Sequence, residues 1–232
     1  MQLSVSDVAV LCHVPENKVY KWIHDEGLPA ERVNDLYRVN PAELLEWATM
    51  RRLPISPAVF QKMNGDSVGR TGLTDALELG GVIHDVAGSD RESVLRALVE
   101  TLPLPGGFDR GTLVRLLMAR EAMGGTAIGD GIAIPHPRRP VVLPGSQRMV
   151  RLGFLAQPLD FGAPDGKPVH TLFLIICPTV HAHLQLLARL ASLLRHANVH
   201  DLLLDRADAN RLLSGFRAEE LALTEETAVR EL

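Results

Sequence analysis

The apolar positions of this chain change period along its length, and the changes mark its elements. Val5, Val8, Ala9 and Cys12 recur at helical spacing after Ser4, with Asp7 three residues beyond that hydroxyl. This predicts a short helix opened by a capping pair. His13 and Val14 interrupt it, and Pro15 suits the first turn of a second helix. There Val19, Trp22 and Ile23 form the apolar face, Asn17, Lys18, Tyr20 and Lys21 lie on or near the other side, and Gly27 closes the helix. Two short extended pieces follow, around Arg32-Val33 and Leu36-Tyr37-Arg38-Val39, joined by the turn pair Asn34-Asp35. Pro41 then opens a third helix carrying Leu44, Leu45 and Trp47. Helix, turn, helix, small β-wing and helix together make a DNA-binding layout.

Residues 53–72 read LPISPAVFQKMNGDSVGRTG, with two prolines, three glycines and no sustained period, which predicts a connector. Beyond it helices and strands alternate. Leu73 to Leu79 is expected as a helix and Val82 to Val86 as a half-buried or edge strand. Asp90 and Asp109 are expected to cap two further helices. The first buries Val94, Leu95, Leu98 and Val99 and ends before Pro103. The second buries Leu113, Leu116, Leu117 and Met118 and carries Arg120 and Glu121 in its last turns. Strands are predicted at Ile132–Ile134 and Val150–Leu155. The nearly unbroken apolar run Val169–Cys177 suits a central strand covered on both faces. A strong helix is predicted from His183, then shorter ones over 199–204 and 208–216. The expected organisation is an N-terminal domain at 1–53, a linker at 54–72, an α/β domain at 73–222 with helices on both faces of its sheet, and a flexible tail at 223–232.

Composition narrows the class. The 232 residues are 46% hydrophobic and 22% charged, with aromatics at only 4%, so the core is aliphatic. The net charge of −4 argues against wholesale electrostatic binding to nucleic acid or anionic membrane. Residues 1–53 carry six Lys/Arg against eight Asp/Glu, a net of −2, so one copy of the N-terminal domain should hold DNA weakly. Oligomerisation, or a role for that domain in protein contact, would reconcile its layout with its charge. Cys12 and Cys177 stand far apart with no partner at metal spacing and read as buried reduced thiols. The N-terminus lacks the features of a signal peptide, and no apolar run is long enough to insert in a membrane. A cytoplasmic location is expected.

The candidate chemistry lies in Arg120–Arg138, REAMGGTAIGDGIAIPHPR. Glycines here allow tight turning and close approach to a ligand. His136 is held between Pro135 and Pro137 at the end of an expected strand, with Arg120, Arg138 and Arg139 near in sequence. A rigid imidazole beside cations and a glycine turn suits phosphoryl uptake, which needs a neutral ring nitrogen and donors around the phosphoryl oxygens. Arg120 is a candidate bidentate phosphate ligand, and Asp130 a candidate for orienting the imidazole or contacting a partner. A helix beginning at His183 would add N-terminal N–H groups. His181 and His183 with His136 could also imitate a zinc site, but only His170 or Cys177 is on offer as a further ligand, so neither metal nor cofactor is expected.

Two resemblances add to this. Leu3-Ser4-Val5, Val8-Ala9, Val19 to Ile23, Gly27 to Ala30, Tyr37-Arg38-Val39 and Leu44 to Trp47 resemble the excisionase/MerR-like winged helix-turn-helix family. That resemblance implies that Asn17, Lys18 and Lys21 face the major groove and that Arg38 lies on the wing beside phosphates. Arg120 to Met123, the block Ile132-Ala133-Ile134-Pro135-His136, and His183-Leu184 with Leu187 and Leu190 look like the enzyme IIA domain of the mannitol/fructose/nitrogen-regulatory class of the bacterial phosphotransferase system, across residues 73–220. This implies a IIA-type mixed sheet flanked by helices. It also implies that His136 takes a phosphoryl group from a histidine phosphocarrier protein, with His183 and Arg120 bracketing that group. Asp130 occupies a position that is often polar or acidic. Pro137 stands where the family commonly has glycine, and Gly125 where some members carry serine.

The expected function is a phosphohistidine domain coupled to a DNA-binding module as a regulator, with a possible homo-oligomeric state. Two alternatives stay open. One is a relay subunit serving a sugar-specific IIB domain, with the N-terminal module used only for protein contact. The other is a non-phosphorylated sensor that binds a partner through the same surface, and a IIB domain or a regulated protein is a possible partner.

Overall fold

The computed structural model describes residues 2–33, 35–51, 53, 72–141 and 147–230. In the N-terminal domain β1 (Leu3–Ser4) leads into α1 (Val5–Leu11) and α2 (Glu16–Asp25). Then come the wing strands β2 (Glu31–Val33) and β3 (Leu36–Val39), and α3 (Pro41–Met50). Ser4 caps α1 reciprocally: its hydroxyl accepts from the Asp7 N–H at 3.1 Å, and its own N–H donates to the Asp7 carboxylate at 2.8 Å. The Ser4 hydroxyl also donates to that carboxylate at 2.6 Å, and this bond, followed by the one from the Ser4 N–H, holds the Asp7 carboxyl below its ordinary value, with Arg38 adding attraction. Pro15 stands at the N-cap of α2, one residue before the first turn expected for it.

The antiparallel sheet has the order β1-β3-β2. The two-residue β1 was too short to show a period in the sequence. Val8, Val19, Trp22, Val39, Leu44 and Trp47 fill the core, with the two tryptophan rings 5.1 Å apart. Of the linker expected at 54–72, residues 54–71 lie outside the described residues. Gly72 is the N-cap of the next helix.

The second domain runs α4 (Leu73–Gly80), β4 (Val82–Val86), α5 (Arg91–Glu100), α6 (Arg110–Glu121), β5 (Ala127–Gly129), β6 (Ile132–Ala133), β7 (Met149–Leu159), β8 (Val169–Ile176), α7 (Val180–Leu193), α8 (Ala197–Leu204) and α9 (Ala209–Arg230). Its five-stranded sheet has the order β4-β7-β8-β6-β5. The β4/β7 and β6/β8 pairs are parallel, while β7/β8 and β5/β6 are antiparallel, so the sheet is mixed. β8 is central and buried, as its apolar run predicts.

Its pleat sorts the core into two layers. Phe173, Ile175 and, just beyond the strand, Cys177 face α4, α7, α8 and α9, whereas Leu172, Leu174 and Ile176 face α5 and α6. Each fully buried side chain of this kind is worth about 1.5–3 kcal/mol, so a strand covered on both faces anchors the domain.

Three expectations change. Leu116 is 43% exposed, because Leu113, Val114 and Leu117 already complete the buried face of α6. β5 occupies a stretch read as glycine turn, and it forms because β6 offers it an antiparallel edge. The segment expected as a flexible tail from 223 continues as α9 to Arg230, with no Gly or Pro after Gly215 to end the helix.

α3 serves both domains. Leu44 and Trp47 face the N-terminal core, while Leu45, 2% exposed, joins the core beneath α4 and α7. The helix packs against α7 and β5.

Candidate active site

β6 has only two residues, but the chain stays extended beyond it. The Ile134 N–H donates to the Thr126 carbonyl at 3.0 Å, and the Pro135 carbonyl accepts from Ile175 of β8 at 2.9 Å. His136 therefore leaves a backbone tied on both sides, and the two flanking prolines stiffen it further. Its ring is 3% exposed, and Nδ1 lies 2.7 Å from the Ile134 carbonyl oxygen. A carbonyl can only accept, so Nδ1 carries the proton and the lone pair is on Nε2. Of the two nitrogens, Nε2 is the one that can act as a nucleophile.

His183 comes from α7. That helix begins at Val180, one turn before the start expected at His183. Thr179 supplies the reason: its hydroxyl accepts from the Ala182 N–H at 3.1 Å, the N-cap arrangement that follows the strand-ending Pro178. The His183 N–H donates to the Thr179 carbonyl at 3.1 Å, so it is spent inside the helix and offers nothing to an anion. The side chain does reach the site. The His136 and His183 ring centroids are 4.7 Å apart at 40°.

Arg120 and Glu121, the last residues of α6, are both buried and hold the glycine turn from inside. Arg120 Nη1 donates to the Gly124 carbonyl at 2.7 Å. The Glu121 carboxylate accepts from the Thr126 hydroxyl at 2.7 Å and from its N–H at 3.2 Å, with Arg91 at 3.9 Å. Thr126 in turn pairs with Ile134, so the turn and the histidine strand are one connected unit. Sequence reasoning left Glu121 without a role; the only signal was a threonine five residues on.

Gly125 has a packing cause. A Cβ there would lie 2.8 Å from the Phe161 carbonyl oxygen and 3.4 Å from the Glu121 carboxylate. A serine side chain does not fit this loop as it stands.

Arg148 is a further cation, with no motif around it to single it out. It precedes β7 at the sheet end where Met149 pairs with Ile176 and Ile175 pairs with Pro135, and it donates to Gln185 of α7 at 2.8 Å. Arg138 donates towards the Met123 sulfur at 3.7 Å and lies 3.6 Å from Glu43 of α3. Arg139 is exposed.

Asp130 is not brought to His136. It occupies the β5–β6 turn with φ of 50°, its N–H donates to Asp165 at 2.8 Å, and its carboxylate lies 3.6 Å from Lys167. The extended chain between them spans on the order of 15–20 Å. His170 lies beside that same turn, its N–H donating to the Gly131 carbonyl at 2.8 Å, and so is also remote from His136. Burial pushes the Cys177 thiol up to about 12, which leaves it protonated and a poor metal ligand. Among the described residues no three His, Cys, Asp or Glu side chains gather as a metal site, and no helix is long and apolar enough to cross a membrane.

In the N-terminal domain Asn17, Lys18 and Lys21 are exposed on α2, with Lys18 3.6 Å from Glu26. Arg38 is half-buried on the central wing strand.

Known proteins resemble each of the two domains separately. The family model described as "Phosphoenolpyruvate-dependent sugar phosphotransferase system, EIIA 2" matches residues 76–218, and a "Helix-turn-helix domain" model matches residues 3–52. The chain is 37% identical over 145 residues to a nitrogen regulatory protein of Pseudomonas aeruginosa, covering 60% of this chain and 91% of that one. It is 34% identical over 113 residues to a fructose-specific EIIA component of the phosphotransferase system in Haloferax volcanii, covering 48% and 71% respectively. The crystal structure of the nitrogen regulatory protein IIA-Ntr from Neisseria meningitidis superposes with a TM-score of 0.55 at 25% identity, over 62% of this chain and 98% of that one.

Proposed function

The chain belongs to this EIIA 2 family, and we propose that its second domain accepts a phosphoryl group on His136 Nε2 from a histidine phosphocarrier protein and that the attached helix-turn-helix domain turns this state into regulation. The observation that carries the reading is the Nδ1–H bond from His136 to the Ile134 carbonyl, 2.7 Å long, in a ring packed against His183. In the transfer the Nε2 lone pair forms the new N–P bond. The donor's N–P bond breaks, and its electron pair returns to the donor imidazole. The Nδ1 proton stays in place, and the Ile134 carbonyl stabilises the charge that spreads over the phosphorylated ring. Arg120 and His183 serve the phosphoryl oxygens in this reading, as fixed donors in a largely water-free site. Asp130, remote from the ring, serves a partner contact at the opposite end of the sheet.

The presence of a helix-turn-helix domain on the same chain, and the nitrogen regulatory proteins among its relatives, favour a regulator over a sugar relay. Asn17, Lys18 and Lys21 are the side chains offered to DNA by α2, and Arg38 of the wing is offered to the phosphates. The test is labelling by phosphorylated histidine phosphocarrier protein. Wild type takes up one phosphoryl group, His136→Ala takes up none, and labelling that persists in the mutant overturns His136 as acceptor.

A further inference from the structure

The two domains meet at a contact that ends two residues from the acceptor histidine, and we propose that it is a phosphorylation-sensitive clasp: α3 is docked on the second domain while His136 is unmodified, and is released when His136 carries a phosphoryl group. This rests on the proposed phosphorylation of His136. The clasp has two parts. Leu45 turns away from its own domain and is buried under α4 and α7, and Glu43, two residues earlier on the same helix, sits 3.6 Å from Arg138. Arg138 follows His136-Pro137, and its guanidinium bridges from the Met123 sulfur in the glycine turn to Glu43.

Phosphorylation changes the competition for that guanidinium. A phosphoryl group on His136 brings close to two negative charges and three acceptor oxygens within reach of a long, 60%-exposed side chain. Arginine binds such oxygens bidentately and better than it binds one carboxylate oxygen at 3.6 Å. Glu43 then loses its partner and faces a like charge.

The rest of the seam is poorly suited to hold alone. Among the described side chains of α3, Leu45 is the one that enters the other core. Beside it the seam leaves a cavity of about 510 Å³, lined by Thr49, Asp130, Ala188, Arg195 and His200 among others. A permanent domain interface would be filled to the density of a protein interior. An exposed ion pair shifts an equilibrium by about two- to fivefold. Repulsion between Glu43 and the phosphoryl group adds to this, so release is graded and not all-or-none, of about tenfold in total. α2 and its exposed Asn17, Lys18 and Lys21 lie outside the clasp, so the switch alters the freedom of the DNA-facing helix without burying it.

The experiment is amide hydrogen exchange by mass spectrometry on the full chain, with phosphoramidate as phosphoryl donor and α2 (residues 16–25) as internal reference. On phosphorylation, exchange over residues 41–50 should rise about tenfold relative to α2. His136→Ala treated in the same way should show no rise. Unphosphorylated Glu43→Gln should give about a two- to fivefold rise, the size of an exposed ion pair. If His136 is labelled and residues 41–50 do not respond, or α2 loosens equally, the clasp is overturned and the phosphorylation stands. If His136 takes no label, the acceptor assignment falls and the clasp falls with it.

Discussion

The imidazole of His136 and the backbone carbonyl of Ile134, two residues earlier on the same extended strand, are joined by a 2.7 Å hydrogen bond that decides which ring nitrogen can react. Phosphorylated chain examined by 15N and 31P NMR should therefore carry phosphorus on Nε2, with the Nδ1 proton retained. Phosphorus bonded to Nδ1 would contradict the tautomer. His183→Ala should keep the acceptor but slow transfer by about 10²–10³-fold, the cost of removing one preorganised donor. Rapid-quench measurement of single-turnover transfer reads this directly.

Gly125 and Phe161 predict a substitution that fails. Gly125→Ser must push its Cβ against a backbone carbonyl 2.8 Å away, which cannot swing aside as a side-chain tip would. The loop is expected to lose about 1–3 kcal/mol, typical of overpacking, visible as a lower midpoint in urea unfolding. A mutant as stable as wild type would show that the turn has room.

Glu220 and the start of α4 predict an acid-sensitive link. The Glu220 carboxylate of α9 accepts from the Leu73 N–H at 2.6 Å, from the Thr74 N–H at 3.0 Å and hydroxyl at 2.7 Å, and pairs with Arg189 at 2.8 Å. It caps a helix from 147 residues away. Burial pushes this carboxyl up, but the donors of Thr74 and Leu73, with Arg189, outweigh it and leave it below its ordinary value. A depressed carboxylate stabilises the fold above its unfolded-state value, and that stability is lost as pH falls through the lower folded-state value. The link is thus intact near neutrality and weakens only below the ordinary glutamate range. Glu220→Gln should cost about 1–3 kcal/mol at pH 7 and flatten the acid limb of the melting-temperature profile.

The charge of the N-terminal domain predicts how it binds DNA. With a net of −2 over residues 1–53, few phosphates can be neutralised by each copy. Lys18→Ala and Lys21→Ala should each reduce the salt slope of log affinity by about 0.9 per lost phosphate contact. Fluorescence anisotropy over a salt series measures it. An unchanged slope in both variants would remove α2 from the interface.

Much of this was legible along the chain. The capping pair Ser4/Asp7, the caps Asp90 and Asp109, and the doubly buried β8 are local patterns, in which period and hydroxyl or carboxylate position speak for themselves. His136 stood out for the same reason: prolines on both sides restrict the backbone whatever surrounds it. The start of α7 is not legible because Leu184, Leu187 and Leu190 mark its buried face clearly, while its cap Thr179 lies outside that face. Asp130 looked close to His136 because six residues are few in sequence, yet in an extended chain they are a long distance.

What the sequence determined by itself is therefore the kind of each element and the chemistry it carries, since both follow from neighbouring residues. What only the tertiary structure decided depends on groups brought together from far apart: the proton on Nδ1, held as the strand is pinned to β8; the ring of His183 against His136; Glu121 and Phe161 closing on the glycine turn; and Glu220 capping α4. The two-sided face of α3 belongs with these. Leu44 and Leu45 are the same residue type side by side, and nothing in their order says that one serves the first domain and the other the second. Packing makes that choice, because adjacent helical positions point about 100° apart and each must be buried against whatever surface the fold supplies.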